Sequence, residues 1–201
     1  EKKLLRTTRA AEGVFSEDGL RIMRLIRFVS TLGFTPDGEA VLAAKKLSGR
    51  LKDVSAERIR DELDKTLKGA NVVNAMQLML STGALRQVIP ELAENEGVEQ
   101  PANVHKYDAL THAFHTAAEA REDIKLAALL HDVGKAEAIK KDGNMHSHAE
   151  YGAALAKEIT RRLKYPNAVI VETEALIREH MYDVNANARE SKLRRFVARN
   201  I

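Results

Sequence analysis

Asp18, Arg21, Arg24 and Arg27 fall every third residue within FSEDGLRIMRLIRFVSTLGF, residues 15–34. A carboxylate accepts two hydrogen bonds, and a guanidinium donates through a planar fork. Held side by side, they present an acceptor next to a donor. Cytosine and adenine share the complement, an exocyclic amino group beside an unprotonated ring nitrogen, whereas uracil and guanine lack it. Asp18 and Arg21 can therefore select C and A without a nucleic-acid template, and Arg24 and Arg27, one and two turns on, can reach a triphosphate. The plainer reading of the same row is a solvated helix face with weak Asp–Arg pairs.

A second set lies in the other half of the chain. His112 stands in HKYDALTHAFHT, and nineteen residues later LAALLHDVGK supplies His131 and Asp132. An adjacent His and Asp can converge on one cation, with His112 from a preceding helix as third ligand. Imidazole with carboxylate suits manganese, iron, cobalt or nickel, and magnesium more weakly. The alternative is a pair of partly buried, hydrogen-bonded histidines in a helical support. His105 and His115 read as surface or packing residues.

Helices must position both sets. Ser16 reads as an N-cap, with Glu17 and Asp18 where the helix dipole is positive. Ile22, Leu25, Ile26, Val29 and Leu32 recur at helical spacing, and Gly33 reads as the stop. Periodicity predicts helices over 17–33, 36–49, 55–69, 71–82 and 84–93. The polar stretch Glu94 to Asn103, with Gly97 and Pro101, reads as a linker. Helices near 104–121, 123–139, 147–164, 167–181 and 187–200 follow. Ser55 and Asn103 are candidate caps, and Pro166 marks a restart. The apolar run Leu126 to Leu130 buries the helix that presents His131 and Asp132, while Met76 and Met79 read as core fillers. No alternating strand of useful length occurs, so the expected fold is all-α, an elongated array of helices. The expected division is 1–93, a linker over 94–103, and a second helical domain over 104–201.

Composition narrows the classes. Of 201 residues, 44% are apolar and 30% charged, which fits a soluble globular protein rather than a disordered one. There is no cysteine, hence no disulfide framework and no thiolate metal site, and a cytoplasmic setting is the default. No leader or long apolar span suggests a membrane. The net charge is +3, unevenly spread. Residues 1–60 hold thirteen Lys or Arg against eight Asp or Glu, residues 61–100 three against seven, and residues 184–201 five against one. The last group comprises Arg189, Lys192, Arg194, Arg195 and Arg199. Two basic regions flanking an acidic middle suit two contacts on a polyanion such as tRNA, or simply a solvated surface.

Glu17-Asp18-Gly19-Leu20-Arg21 has the form EDxxR, and with RIMRLIRFVSTLGF after it resembles the nucleotide-recognition motif of class II CCA-adding tRNA nucleotidyltransferases, within the poly(A) polymerase superfamily. The resemblance implies that Asp18 and Arg21 read incoming CTP or ATP, assisted by Arg24 and Arg27, at the 3′ end of tRNA. VSAERIRDELDKTL, residues 54–67, looks like the family's next motif, a helix supporting the first. There Glu57 and Arg58 either brace the arginine row or form an ordinary surface pair. The family's chemistry uses a DxD carboxylate pair binding two magnesium ions. No DxD and no Gly-Ser nucleotide signature occur here. The expectation is a C-terminal portion of a longer enzyme, with the Mg2+-dependent catalytic head upstream and no nucleotide addition by this portion alone. A poly(A) polymerase or an A-adding enzyme shares the same helix.

The pattern H…apolar-HDxGK resembles the HD superfamily of metal-dependent phosphohydrolases, a domain some CCA-adding enzymes carry at this place. The resemblance implies a divalent metal on His112, His131 and Asp132, with a fourth ligand, an Asp, on a later helix. Here the matching stretch reads LIREHMYDV, which puts Met181 at that place, a poor ligand for a hard ion. His180 or Asp183 can substitute, as can His146 or His148 in HSHAEYGA. Small phosphomonoesters or 2′,3′-cyclic phosphates are the implied substrates. Lys135 either neutralises phosphate charge or is an exposed lysine without a role.

Overall fold

The computed structural model describes residues 3–99 and 107–181. The expected helix 187–200 with its five basic residues, and Asn103, His105 and Asp183, lie outside the described residues.

Two short strands, β1 (Leu4–Leu5) and β2 (Thr35–Pro36), pair in parallel. Between them run α1 (Ala11–Glu17) and α2 (Leu20–Leu32). The single helix expected over 17–33 is thus two helices, and the break falls inside the EDxxR motif. Asp18 is extended (φ −148°, ψ 107°), and its Oδ1 accepts from the Leu20 N–H at 3.0 Å. Gly19 is the N-cap residue of the arginine-bearing helix and Asp18 takes up its first N–H; Ser16 instead sits within α1 and donates to the Gly13 carbonyl. The turn is fixed by close packing: a Cβ at Gly19 would stand 2.6 Å from the Arg50 carbonyl oxygen. At the other end Gly33 is left-handed (φ 65°) and its N–H returns to the Val29 carbonyl, so it stops α2.

α3 (Gly38–Leu47) is capped by Asp37, whose side chain accepts from the Ala40 N–H at 2.9 Å. A 3₁₀ segment, Ser48–Asp53, leads to α4 (Ala56–Leu67). α4 packs along α2: the Ser30 hydroxyl donates to the Thr66 carbonyl at 2.6 Å, and Arg27 Nε pairs with Glu62 at 2.8 Å. α5 (Val72–Ser81) places Met76 and Met79 in the core. The segment expected as one helix over 84–93 is α6 (Ala84–Val88) and α7 (Pro90–Ala93). Pro90 forces the split, because the residue before a proline avoids the helical region and Ile89 sits at φ −135°, ψ 71°.

The second half holds α8 (Ala109–Glu119), a 3₁₀ turn at Glu122–Ile124, α9 (Lys125–Leu130), α10 (Lys135–Asp142), α11 (His148–Arg162) and α12 (Asn167–Glu179). Asp108 caps α8 through the Thr111 N–H at 2.8 Å. The expected helix 123–139 breaks at His131-Asp132-Val133-Gly134, which turns from α9 into α10. A Cβ at Gly134 would fall 2.2 Å from the His148 carbonyl oxygen, so only glycine lets this turn touch α11.

One contiguous apolar cluster runs from Ala11 to Ile177 and joins the halves. Polar contacts join them too. Tyr165, after α11, donates its hydroxyl to Asp64 on α4, and Arg60 donates to the Lys164 carbonyl. Burial pushes both the Asp64 carboxyl and the Tyr165 hydroxyl above their ordinary ranges. Within the stretch read as a linker, Asn95 is only 1% exposed. Among the described residues the fold is all-α apart from the β1–β2 pair, and no described helix is long and apolar enough to cross a membrane.

Candidate metal centre and nucleotide-recognition helix

Five side chains from four places in the chain converge around Asp132. His112 comes from α8, His131 and Asp132 from the α9–α10 turn, His148 from the first residue of α11, and His180 from the end of α12. Asp132 Oδ2 faces one group: His131 Nε2 at 3.0 Å and His112 Nε2 at 3.8 Å. Its Oδ1 faces the other: His148 Nε2 at 3.4 Å and His180 Nε2 at 3.8 Å. The two sets form triads that share one carboxylate, each with its donor atoms within 4.8 Å of one another.

The ring tautomers follow from the backbone. His131, His148 and His180 each turn Nδ1 onto the carbonyl three residues back, Ala128 at 2.8 Å, Met145 at 2.6 Å and Ile177 at 2.6 Å. A carbonyl only accepts, so each Nδ1 carries a proton and each Nε2 faces the centre, where a neutral ring offers a lone pair and a protonated one a second N–H. With neutral rings, acceptors face acceptors. His148 Nε2 and His180 Nε2 lie 3.2 Å apart, and His131 Nε2 abuts a carboxylate oxygen. Protons or cations must stand between them. Imidazole nitrogen with carboxylate oxygen fits a divalent first-row ion, and carbonyl-anchored Nδ1 atoms are the support such ligands use.

Charge agrees with this. Asp132 is 4% exposed, and burial alone would raise its pKa; the hydrogen bond and charge of His131, with Lys135, outweigh burial and hold the carboxyl well below its ordinary range. Burial lowers the His180 pKa, the Ile177 carbonyl opposing it, which favours the neutral, ligand-competent imidazole. Lys135 is not the exposed lysine that the alternative reading had: it is 7% exposed, and its Nζ lies 2.7 Å from Asp132 Oδ2. Met181 is 65% exposed and His146 is exposed, so neither joins the cluster. His115 stacks on Tyr107 at 4.3 Å.

The first-half residues are arranged differently. Asp18 Oδ2 pairs with Arg58 Nη2 at 2.9 Å, not with Arg21. Arg21 Nη1 instead bonds Glu17 at 2.9 Å and the Val14 carbonyl at 3.0 Å. Burial raises the Asp18 pKa, but the Leu20 N–H and Arg58 lower it further, so the carboxylate stays ionised. Arg24 is exposed and has no ion-pair partner among the described residues. Arg27 is drawn into the α2–α4 seam by Glu62, at an angle that makes an ion pair but no hydrogen bond, with its guanidinium 4.5 Å over the Phe28 ring. The row therefore divides: Arg21 and Arg24 border solvent, while Arg27 braces the helix. Arg58 supplies the expected contact from α4; Glu57 is exposed. The roles of Glu62 and Glu17 were not anticipated, although Glu17 and Arg21 stand at the i,i+4 spacing of a helix pair.

Comparison with known proteins matches residues 88–199, more than half of the chain, to the HD domain family. The chain belongs to the HD domain family. Residues 33–96 match a second family, described as a probable RNA and SrmB-binding site of polymerase A. The HD-containing chain is similar to an A-adding tRNA nucleotidyltransferase of Deinococcus radiodurans, 34% identical over 199 residues, covering 90% of this chain and 45% of the relative. In fold it is similar to the crystal structure of the Bacillus stearothermophilus CCA-adding enzyme in complex with CTP, with a TM-score of 0.56 and 24% identity, covering 90% of this chain and 41% of that one. The chain thus spans less than half the length of each. The resemblance to CCA-adding enzymes that carry an HD-type domain holds on both family matches, the relative and the fold.

Proposed function

We propose that this chain is the nucleotide-selecting and RNA-holding region of a tRNA nucleotidyltransferase. Support comes from the 34% identity to an enzyme of that name and from the RNA-binding family match. The observation that carries the selecting role is the state of Asp18. Its Oδ1 is anchored by the Leu20 N–H, while Oδ2 pairs, among the described residues, with the exposed Arg58. A base amino group can take that position as Arg58 yields, with Arg21 exchanging Glu17 for the ring nitrogen. Arg24, at the solvent border, reaches the triphosphate. Arg27, held by Glu62, fixes the helix that carries them.

On this reading nucleotide addition draws on Mg2+-binding carboxylates outside these 201 residues, and the chain alone binds nucleotide without transferring it. The test is equilibrium binding of CTP, ATP, UTP and GTP to the chain and to Asp18→Ala. Preference for CTP and ATP that the substitution abolishes supports the reading; equal affinity for all four overturns it. Binding of ATP without CTP points to an A-adding enzyme or a poly(A) polymerase.

A second activity is favoured by one observation, the two triads sharing Asp132. We infer that His112, His131 and Asp132 hold one divalent cation, and Asp132, His148 and His180 another. Cations there supply Lewis acidity to a phosphoryl oxygen and a more acidic water. His131, His148 and His180 are oriented through their Nδ1–H bonds, and Lys135 neutralises charge beside Asp132. Phosphomonoesters or 2′,3′-cyclic phosphates are the matching substrates. Metal analysis with a phosphatase assay on the chain and His131→Ala tests this; turnover unaffected by the substitution overturns it.

A further inference from the structure

The turn that carries His131 and Asp132 is gripped from two sides. On one side Gly134 lies against the α11 backbone at His148 and Gly152, so the turn and the helix bearing His148 are locked together. On the other side stands Asn95, just after α7, which belongs to neither triad. Its Oδ1 accepts from the Ala136 N–H at 3.1 Å, and its Nδ2 donates to the Val133 carbonyl at 3.2 Å. The same Nδ2 is within 3.2 Å of the Glu91 carbonyl and 3.4 Å of the Leu92 carbonyl. One buried amide therefore ties the end of α7 to the backbone on both sides of Gly134-Lys135, immediately after Asp132.

The chemistry of the partners requires an amide. Val133 offers a carbonyl and needs a donor; Ala136 offers an N–H and needs an acceptor. Asn supplies both within a single planar group, whereas Asp offers only acceptors when ionised and Leu offers neither. The α7 turn is itself fixed to the second half by ion pairs. Arg162 makes a two-pronged contact with Glu91 at 2.6 and 2.8 Å, and Lys140 meets Glu94 at 2.6 Å. Asn95 is thus held on a braced element and presents its amide to a turn whose register sets where Asp132 points.

We propose that Asn95 is a positioning residue of the metal centre, acting through the Val133 and Ala136 backbone to aim the carboxylate shared by both triads. The inference rests on the reading that this centre holds divalent cations. It makes the end of α7, at the start of the HD match over residues 88–199, a structural component of the centre. Groups that orient metal ligands without touching the metal are commonly worth 10–100-fold in affinity.

The experiment measures Mn2+ binding by titration calorimetry on the full chain, alongside thermal unfolding of the metal-free protein. Asn95→Asp and Asn95→Leu, close in size to Asn, are compared with Val88→Ala, which loosens the buried face of α6 without touching the turn. The expected result is Mn2+ binding weakened about tenfold or more in both Asn95 variants. Val88→Ala loses thermal stability but binds Mn2+ like the unsubstituted chain. Should Asn95→Leu not fold, the smaller polar Asn95→Ser takes its place, with a loss of affinity also expected. Asn95 variants that bind Mn2+ within twofold of the unsubstituted chain overturn the inference while leaving the metal reading intact. Failure of the unsubstituted chain to bind Mn2+ overturns the metal reading, and the inference with it.

Discussion

Asp132 and Asp18 are both ionised aspartates beside cationic side chains, yet their surroundings share little else. Asp132 is buried among four imidazoles and an ammonium, and the rings of His131, His148 and His180 are oriented by carbonyls three residues back along the chain. Asp18 borders solvent at a helix break, with one oxygen on a backbone N–H and the other on an exposed arginine from α4. The first cluster has its donor atoms assembled as it stands; on the proposed reading the second is complete only when a nucleotide displaces the present partners. Burial explains the difference. Removing one member of a buried ionic group costs about 3–5 kcal/mol, whereas an exposed pair is worth about 0.2–1 kcal/mol and exchanges readily.

Substitutions can break or sharpen that contrast. The largest effect is expected for Asp132→Ala, which removes the carboxylate common to both triads. Calorimetry is expected to show Mn2+ binding weakened by more than about a hundredfold, and denaturant unfolding a loss of roughly 3–5 kcal/mol in the metal-free chain. Unchanged stability would show that the buried cluster is not the constraint described here.

Next come His112→Ala and His148→Ala, one from each triad. Each is expected to lower the bound metal from two ions to one, measured by elemental analysis after dialysis. Loss of both ions from either variant would replace two sites sharing a ligand with one indivisible site.

Asp64 lies between the two regions, at the Tyr165 contact. Its folded pKa is raised by burial, so its contribution to stability is fully present below its unfolded value near 3.8 and is lost as pH rises through the folded value. Asp64→Asn is expected to remove that decline, because the Tyr165 hydroxyl can still donate to the amide oxygen. Melting curves of both proteins from pH 4 to 7 would reveal it.

The smallest effect on stability is expected for Asp18→Ala, about 1 kcal/mol or less. Its consequence lies in selectivity, with loss of preference for CTP and ATP and no change in bound metal. A change in metal content would mean that the two sites are not separable.

Much of the fold is legible from periodicity. The apolar spacing of Ile22, Leu25, Ile26 and Val29 marks the buried face of α2, and Gly33 marks its end. The breaks are less visible. Helical spacing continues across Asp18-Gly19 and across His131–Gly134, because the apolar residues on both sides face one core. What interrupts the helices is close packing: Gly19 against Arg50, and Gly134 against His148. Pro90 was a readable signal for the break at Ile89. At the metal centre, the His-Asp pair and His112 are visible as a motif, whereas the choice among the later ligands is not. Consecutive residues at a helix end point in different directions, so His180 turns inward as Met181 turns out.

The sequence by itself determined an all-α chain, the residue types able to hold a cation, and the two motifs in which the candidate site residues lie. Those follow from local spacing and side-chain chemistry. Tertiary structure alone decided that Asp132 faces two triads, that Lys135 is buried against it, that Arg58 rather than Arg21 meets Asp18, and that Asn95 grips the turn bearing His131 and Asp132. The physical reason is that each pairing joins groups from different packed elements, or depends on how tightly those elements approach. Glycine contacts and buried hydrogen bonds set that approach, and spacing along one helix does not contain it.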